Sequence, residues 1–141
     1  MNLDLFEAAE TMIKRHEGLN LKPYLCPAGK LTIGYGRNIE DVGISEEEAV
    51  GLLHADITSA VRELEREFGP GWYNGMSRVR AAALIDMMFN LGATRFGAFK
   101  KMIAAVRKQK WEKAADEAKN SKWYNQVGGR GETIVRMLRE G

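Results

Sequence analysis

The sequence predicts an α+β fold that is predominantly α-helical. Three observations predict it: apolar residues recur at helical spacing along most of the chain, a single pair of short apolar runs flanks a Pro-Ala-Gly turn, and one long uninterrupted helical pattern follows that turn. We expect a β-hairpin region at about 17–44, a long helix at about 45–68, and further helices over 1–16 and 69–141.

Length and composition indicate one soluble globular domain. The chain has 141 residues, of which 45% are hydrophobic and 28% are charged. It has no apolar run of the roughly 18 residues that a membrane-spanning helix needs, so we expect no stable membrane insertion. The first ten residues include Asp4, Glu7 and Glu10, which is unlike a signal peptide. We therefore expect synthesis as a cytoplasmic protein.

Cysteine and histidine are scarce. The single cysteine, Cys26, cannot form an internal disulfide, and the two histidines, His16 and His54, do not form a metal-binding pattern with it. The sequence therefore predicts no metal site and no cofactor, and the hydrophobic core must stabilise the fold alone.

The first helix is predicted to end at an acidic residue. Its apolar face is spaced for an amphipathic helix over residues 3–16, and Glu17 follows, just before Gly18. The negative end of a helix dipole disfavours a carboxylate and favours its protonated form. A glutamate in this position is a candidate general acid.

A β-hairpin is predicted directly after this helix. The apolar runs at 24–26 and 31–33 flank the turn Pro27-Ala28-Gly29, where proline presets its own φ and glycine allows a positive φ. Gly34 and Gly36 then allow the backbone to bend away or a ligand to approach closely. The segment 37–43 is polar and is expected to be irregular.

The long helix predicted at about 45–68 has a clear start and a clear stop. Ser45 and Glu48 match a capping box, an apolar stripe continues to about Phe68, and Gly69-Pro70-Gly71 ends the pattern. The remainder is helical: 79–91 is apolar almost all round and predicts a buried central helix, ended by Gly92.

Several motifs, taken in order, resemble those of one enzyme family. The early ones are Glu17-Gly18-Leu19, Leu21-Lys22-Pro23-Tyr24 and Gly29-Lys30-Leu31-Thr32-Ile33-Gly34-Tyr35-Gly36. The late ones are Phe89-Asn90-Leu91-Gly92, Trp111 with Ala114-Ala115, Ser121-Lys122-Trp123-Tyr124-Asn125-Gln126, and Arg130. This order resembles the phage-type lysozymes, the endolysins of glycoside hydrolase family 24.

The resemblance implies a lysozyme-like fold and a muramidase activity. In that fold a connecting helix at about 45–68 joins a small β-hairpin lobe at about 17–44 to a larger helical lobe formed by 1–16 together with 69–141. The substrate would be the β-1,4 bond between N-acetylmuramic acid and N-acetylglucosamine in peptidoglycan. Glu17 would be the general acid, Thr32 would position the attacking water, Phe89 and Asn90 would contact the sugar, and Arg130 would pair with Glu17. A core role for Phe89 and a surface role for Arg130 are the alternatives that the residues alone leave open.

Cys26 is where the sequence departs from this family, which has an aspartate at that position. An ordinary thiol has a pKa of about 8.5 and is only partly ionised near neutral pH, unless Lys30, Arg37 or another cation lowers that pKa. Cys26 could then serve as a base or nucleophile, could act as a weak helper while Thr32 and water suffice, or could mark a loss of hydrolysis. We expect a working enzyme in which Cys26 replaces the aspartate.

Charge is unevenly distributed along the chain. Residues 1–77 carry 7 Lys+Arg against 13 Asp+Glu, whereas residues 78–141 carry 14 against 6, a net charge of +8 in the second part. A basic half suggests an anionic partner, and on charge alone nucleic acid, a membrane surface and the anionic bacterial wall all qualify. Solvated helix faces with a mild excess of lysine explain the charge at least as well, and the bacterial wall is the partner that fits the resemblance. No motif for nucleic acid is found, so we expect no nucleic-acid partner.

The family also implies a setting for the protein. It would be a monomer that stays in the host cytoplasm until a holin opens the membrane, and would then act in the periplasm or cell wall. Two other functions stay open: a lytic transglycosylase that needs Glu17 alone, and a non-catalytic peptidoglycan-binding module.

Overall fold

The computed structural model describes residues 2–141 and confirms a predominantly helical α+β fold. In that range a three-stranded antiparallel sheet accompanies eight helices. The strands are β1 (Asn20–Leu25), β2 (Leu31–Gly34) and β3 (Arg37–Asn38), and the helices are α1 (Leu3–Glu17), α2 (Ile39–Val42), α3 (Glu46–Phe68), α4 (Arg78–Gly97), α5 (Lys100–Arg107), α6 (Trp111–Lys119), α7 (Lys122–Val127) and α8 (Gly129–Glu140). None of these helices is long and apolar enough to cross a membrane.

The chain forms two compact units. The first extends through Val50 and contains α1, the sheet and α2, and the second runs from Gly51 to Gly141. Helix α3 begins in the first unit and continues into the second. The expectations that it connects two lobes, and that residues 1–16 belong to the helical lobe, stay predictions.

Helix α1 is capped at both ends by short-range hydrogen bonds. The Asn2 side chain accepts a hydrogen bond from the Asp4 N–H at 2.9 Å, as expected of an asparagine N-cap. At the other end Gly18 has φ 70° and its N–H donates to the Lys14 carbonyl at 3.0 Å. Glu17 is therefore the last helical residue, as the sequence predicted.

The predicted hairpin is present, and its turn follows from the proline and the glycine. Strands β1 and β2 are antiparallel, with Tyr24 opposite Thr32. The Cys26 N–H donates to the Lys30 carbonyl at 3.0 Å, and the Gly29 N–H donates to the Cys26 carbonyl at 2.8 Å. Gly29 has φ 77°, so the loop is a three-residue turn that requires glycine at its last position.

The segment after the hairpin is more ordered than the sequence suggested. Strand β3 pairs with β2, and the four-residue helix α2 follows directly. The Asn38 side chain accepts from the Asp41 N–H at 3.1 Å and starts this helix. The expectation of an irregular segment at 37–43 was wrong, because a two-residue strand is too short to produce a periodic signal and the helix cap at Asn38 had not been recognised.

The capping box at the start of α3 is confirmed. The Glu48 N–H donates to the Ser45 hydroxyl at 3.1 Å, and the Ser45 N–H donates to the Glu48 carboxylate at 2.9 Å. Arg37 also donates to this carboxylate, at 2.7 Å. These contacts join the end of the sheet to the first turn of the long helix.

The hydrophobic core of the second unit is centred on α4. As predicted, this helix is interrupted at Gly92, which has φ 78° and ψ 167°. Phe96 is fully buried and meets Phe68 edge-on, with ring centroids 6.3 Å apart. The other buried side chains are Ala60, Leu64, Trp72, Ala83, Leu84, Met87, Met88, Leu91, Met102, Ile103, Ala105, Val106, Ala114, Ala115, Ala118, Trp123, Ile134, Val135 and Leu138.

Arg80 links three helices of this unit. Its guanidinium lies 4.8 Å from the centroid of the Trp111 ring on α6, a cation–π distance. It also donates to the carbonyls of Leu138 at 2.8 Å and Arg139 at 2.9 Å. These acceptors are among the last carbonyls of α8, which have no partner within their own helix.

The Glu48 contacts predict an acid-dependent stability. The Ser45 N–H and then the Arg37 guanidinium lower the pKa of Glu48 from 4.5 to about 2. Because the pKa is lower in the folded state, this stabilisation is complete above pH 4.5 and is lost as the pH falls towards 2. Thermal unfolding from pH 2 to 7 should show a smaller decrease in melting temperature for Glu48→Gln, and identical pH profiles would contradict the assignment.

Burial predicts different costs for two phenylalanines of α4. Phe96→Ala removes a fully buried ring and should cost about 3–5 kcal/mol in the free energy of unfolding. Phe89→Ala removes a ring that is 42% exposed, and it should cost about 1 kcal/mol. Denaturant unfolding of both variants tests this, and equal losses would contradict the packing described here.

Candidate active site

Glu17 is held where α1 meets the end of the sheet. A Cβ atom added to Gly36 would lie 2.6 Å from Oε2 and 2.9 Å from Cδ of Glu17, so the carboxyl group packs directly against the Gly36 backbone. Gly36 has φ 81°, a conformation that side chains disfavour. A second contact lies beside it, since the Lys14 ammonium is 5.5 Å from the centroid of the Tyr35 ring.

Thr32 is the one polar residue among the buried residues of the described chain, with 3% of its surface exposed. Its hydroxyl donates to the Lys30 carbonyl at 2.8 Å. The single hydroxyl proton of Thr32 is used in this hydrogen bond. The hydroxyl oxygen keeps lone pairs that can accept a hydrogen bond from a water or a substrate hydroxyl.

Cys26 lies at the end of β1 and is half-buried. The backbone amide of Lys30 is the main cause that lowers the pKa of its thiol below the ordinary value. Partial desolvation opposes this effect, and the Ala28 backbone and the Thr32 side chain add to it. Because the Thr32 proton is directed at the Lys30 carbonyl, we attribute the lowered pKa chiefly to the backbone amides.

The two cations that the sequence offered for Cys26 have other partners. The Lys30 ammonium lies 3.3 Å from Asp41 and 3.4 Å from Glu40, and Arg37 pairs with Glu48. Lys30 thus acts on the thiol through its main chain and not through its charge.

In the second unit, Phe89 borders a shallow apolar cavity of about 310 Å³. Leu53, Ile57 and Ile85 line the same cavity, together with Arg130. The ring of Phe89 is 42% exposed, so Phe89 is not a core residue, and its exposed face is available for an apolar contact.

Asn90 is held in place by a hydrogen bond from a buried tryptophan. Its Oδ1 accepts a hydrogen bond from the Trp123 indole N–H at 2.8 Å. Trp123 is 3% exposed and packs edge-on against Phe99, so this tryptophan belongs to the core of the second unit. The amide nitrogen of Asn90 keeps two protons for another acceptor.

Arg130 forms an ion pair with Asp86 on α4, with 2.6 Å between Nε and Oδ1. Asp86 was not singled out in the sequence, although it lies three residues before Phe89. The predicted pairing of Arg130 with Glu17 is untested and stays a prediction.

Within residues 2–141, His, Cys, Asp and Glu side chains do not gather in groups of three or more that could hold a metal ion. The first unit contains three of the predicted catalytic residues, Glu17, Cys26 and Thr32.

Comparison with known proteins identifies the family. A family model described as phage lysozyme matches residues 14–139. The chain belongs to the phage lysozyme family. The match includes the last turn of α1, the whole sheet and every helix that follows, and it supports a lysozyme-type hydrolase.

Individual relatives point the same way. Probable T4-type lysozyme 2 of Dictyostelium discoideum is 27% identical, over 97% of this chain and 96% of its own length. The endolysin of Acyrthosiphon pisum secondary endosymbiont phage 1 is 35% identical over 67% of this chain and 64% of its own length. The pre-baseplate central spike protein Gp5 of Enterobacteria phage T4 is 30% identical over 92% of this chain, which spans only 27% of that protein.

The contact between Glu17 and Gly36 predicts an effect of one added methyl group. Gly36→Ala should displace the Glu17 carboxyl and lower peptidoglycan hydrolysis at least tenfold. Gly34→Ala is a matched control, because Gly34 also has a positive φ, of 72°, but has no atom within 4 Å of the added Cβ.

Both alanine variants introduce comparable backbone strain, about 1–2 kcal/mol, so their melting temperatures should fall together. Turbidity clearing and thermal unfolding are measured on the same preparations. Together they separate an effect on the position of the Glu17 carboxyl from an effect on the stability of the protein. Equal losses of activity in the two variants would show that the Gly36 contact does not position Glu17.

Proposed function

We propose that this phage lysozyme is an endolysin that hydrolyses the β-1,4 bond between N-acetylmuramic acid and N-acetylglucosamine in peptidoglycan. The observation that carries the proposal is the carboxyl group of Glu17 at the end of α1, packed against Gly36. The same unit presents Cys26 and Thr32 at the adjoining hairpin, and the family match covers all three residues.

In the proposed mechanism Glu17 donates a proton to the glycosidic oxygen as the bond to the anomeric carbon breaks. A water attacks the oxocarbenium-like centre from the opposite face, as glycoside hydrolysis requires. The Thr32 oxygen is free to accept a hydrogen bond from this water, because its own proton is bound to the Lys30 carbonyl. Thr32 therefore orients the nucleophile.

Cys26 replaces the usual aspartate in this proposal. The thiolate takes the proton that the attacking water loses. The Lys30 amide supports this role, since it lowers the pKa of the thiol and so increases the ionised fraction near neutral pH. A thiol with its ordinary pKa would be mostly protonated there.

Residues of the second unit are proposed to bind the sugar and support the acid. The exposed Phe89 ring supplies an apolar surface for a pyranose face, and the free amide protons of Asn90 supply donors. Arg130 is proposed to pair with the Glu17 carboxylate after proton donation. It would then have to leave Asp86, its partner in this structure.

The biological setting belongs to the same proposal. As an endolysin the protein would remain in the host cytoplasm as a monomer, reach the periplasm through a lesion made by a holin, and then degrade the wall. The endolysin relative supports this setting by its name.

The decisive test is clearing of purified peptidoglycan by the wild type, Glu17→Gln, Cys26→Ser and Cys26→Asp, with products identified by mass. Loss of the general acid should lower the rate about 10²–10⁴-fold. Cys26→Ser cannot form a thiolate and should lose at least tenfold, whereas Cys26→Asp should retain activity and extend it to lower pH.

The ionisation of Cys26 has a readout that does not depend on activity. Alkylation by iodoacetamide should reach half its maximal rate at a lower pH in the folded protein than in the unfolded chain, because the folded structure lowers the pKa of the Cys26 thiol. The midpoint shifts to lower pH because a thiol with a lowered pKa is more ionised at any given pH, and only the thiolate reacts. Equal midpoints would remove the basis for a catalytic Cys26.

Product analysis separates the other candidates. The missing aspartate favours a lytic transglycosylase as the second candidate, because that reaction needs an acid and uses a hydroxyl of the sugar itself. Anhydro-sugar ends would identify it. Release of no sugar by the wild type, with retained binding to the wall, would identify a non-catalytic module.

A further inference from the structure

Four lysines surround a small concavity in the second unit, between α5 and α6. Lys101 comes from α5, Lys108 and Lys110 from the connection, and Lys113 from α6, and with Ala104 and Ala105 they line a volume of about 130 Å³. We call this feature the lysine concavity. It is far larger than the roughly 30 Å³ that one water occupies, so it has room for a phosphate-sized group.

The backbone of the α5–α6 connection is fixed in a way that brings these lysines together. The Gln109 N–H donates to the Val106 carbonyl at 2.9 Å, and the Lys110 N–H donates to the Ala105 carbonyl at 2.9 Å. This is the Schellman pattern of a helix end. The pattern requires one residue with a positive φ, and here that residue is Gln109, with φ 54°. Glycine usually occupies that position, so the turn is formed here at a conformational cost.

The four ammonium groups have no acidic partner among residues 2–141. Two arginines nearby differ from them: Arg107 pairs with Glu67, and Arg139 pairs with Glu112 and Asp116. Glu112 is the one acidic residue in the segment 100–113, which carries six cationic side chains, and it is engaged by Arg139. Helix α6 also begins without a side-chain cap, since Lys110 makes none.

The lining of the lysine concavity restricts the class of ligand. Its floor is alanine, and no large apolar side chain lines it, so it lacks the residues that insert into a membrane interface. It also lacks the aromatic side chains that stack nucleic-acid bases and the arginine forks that read them. The remaining lining consists of four lysine ammonium groups. Lysine binds phosphate groups as a point charge.

We propose that the lysine concavity binds the phosphate groups of a flexible anionic polymer. The site would hold the protein on a phosphate-bearing surface polymer while another part of the chain acts on its substrate. It accounts for part of the excess positive charge of residues 78–141, of which the proposed hydrolytic site uses only Arg130. The inference does not rest on hydrolysis, because binding can be measured without it.

Binding of the full chain to linear inorganic polyphosphate tests the proposal, by fluorescence anisotropy at 50 mM salt. The variant Lys101→Gln, Lys108→Gln, Lys110→Gln and Lys113→Gln should bind at least tenfold more weakly than the wild type. The control neutralises four exposed cations elsewhere in the same unit, Arg95→Gln, Lys119→Gln, Lys122→Gln and Arg136→Gln. It has the same net charge and should stay within about threefold of the wild type.

A single substitution gives an independent check. Ala104 is exposed on α5 and lines the lysine concavity, so Ala104→Glu places a carboxylate there at little cost to the helix. It should weaken binding about tenfold. Thermal unfolding of each variant confirms that the chain is folded.

The outcomes separate the sources of phosphate. Equal weakening in the two four-site variants would show that net charge alone is responsible, and would overturn the proposal. Tighter binding to phosphatidylglycerol vesicles would assign the lysines to a lipid surface, and tighter binding to duplex DNA would assign them to nucleic acid; either would overturn it too. Selective loss of polyphosphate binding in the Lys→Gln and Ala104→Glu variants supports it.

Discussion

The close approach of the Glu17 carboxyl to the Gly36 backbone is the contact on which the first unit depends. Gly18 ends α1 immediately after Glu17, and Gly36 immediately precedes β3. Because Gly36 has no side chain, the Glu17 carboxyl can pack against the turn between β2 and β3. Position 36 must lack a side chain for two independent reasons, its positive φ and the carboxyl beside it. The position of the candidate acid is therefore set by main-chain geometry.

The main chain of Lys30 has a comparable role at the other end of the hairpin. Its carbonyl accepts a hydrogen bond from the Thr32 hydroxyl, and its amide lowers the pKa of the Cys26 thiol. The main chain of Lys30 thus leaves the Thr32 oxygen free to accept a hydrogen bond and stabilises the thiolate of Cys26. The Lys30 side chain, in contrast, extends to Glu40 and Asp41. The three-residue turn determines this arrangement, because it sets Lys30 opposite Cys26.

The sequence could predict those features that depend on local signals. The end of α1 at Glu17, the turn at Gly29, the capping box at Ser45 and the break at Gly92 each follow from a glycine, a proline or a cap. The pairing of Arg130 with Asp86 and of Asn90 with Trp123 could not be predicted, because the partners are 44 and 33 residues apart. Such contacts depend on how helices pack, and a single sequence carries no direct signal for them.

A thiol in place of a carboxylate changes more than the acid–base chemistry of the hairpin. Thiolates are oxidised first to sulfenic acid and then irreversibly to higher acids, whereas carboxylates are inert to the same oxidants. Cys26 is half-buried and its ionised form is favoured, which are the conditions for such reactivity. The hairpin therefore carries one oxidisable group, which an aspartate at the same position would not supply.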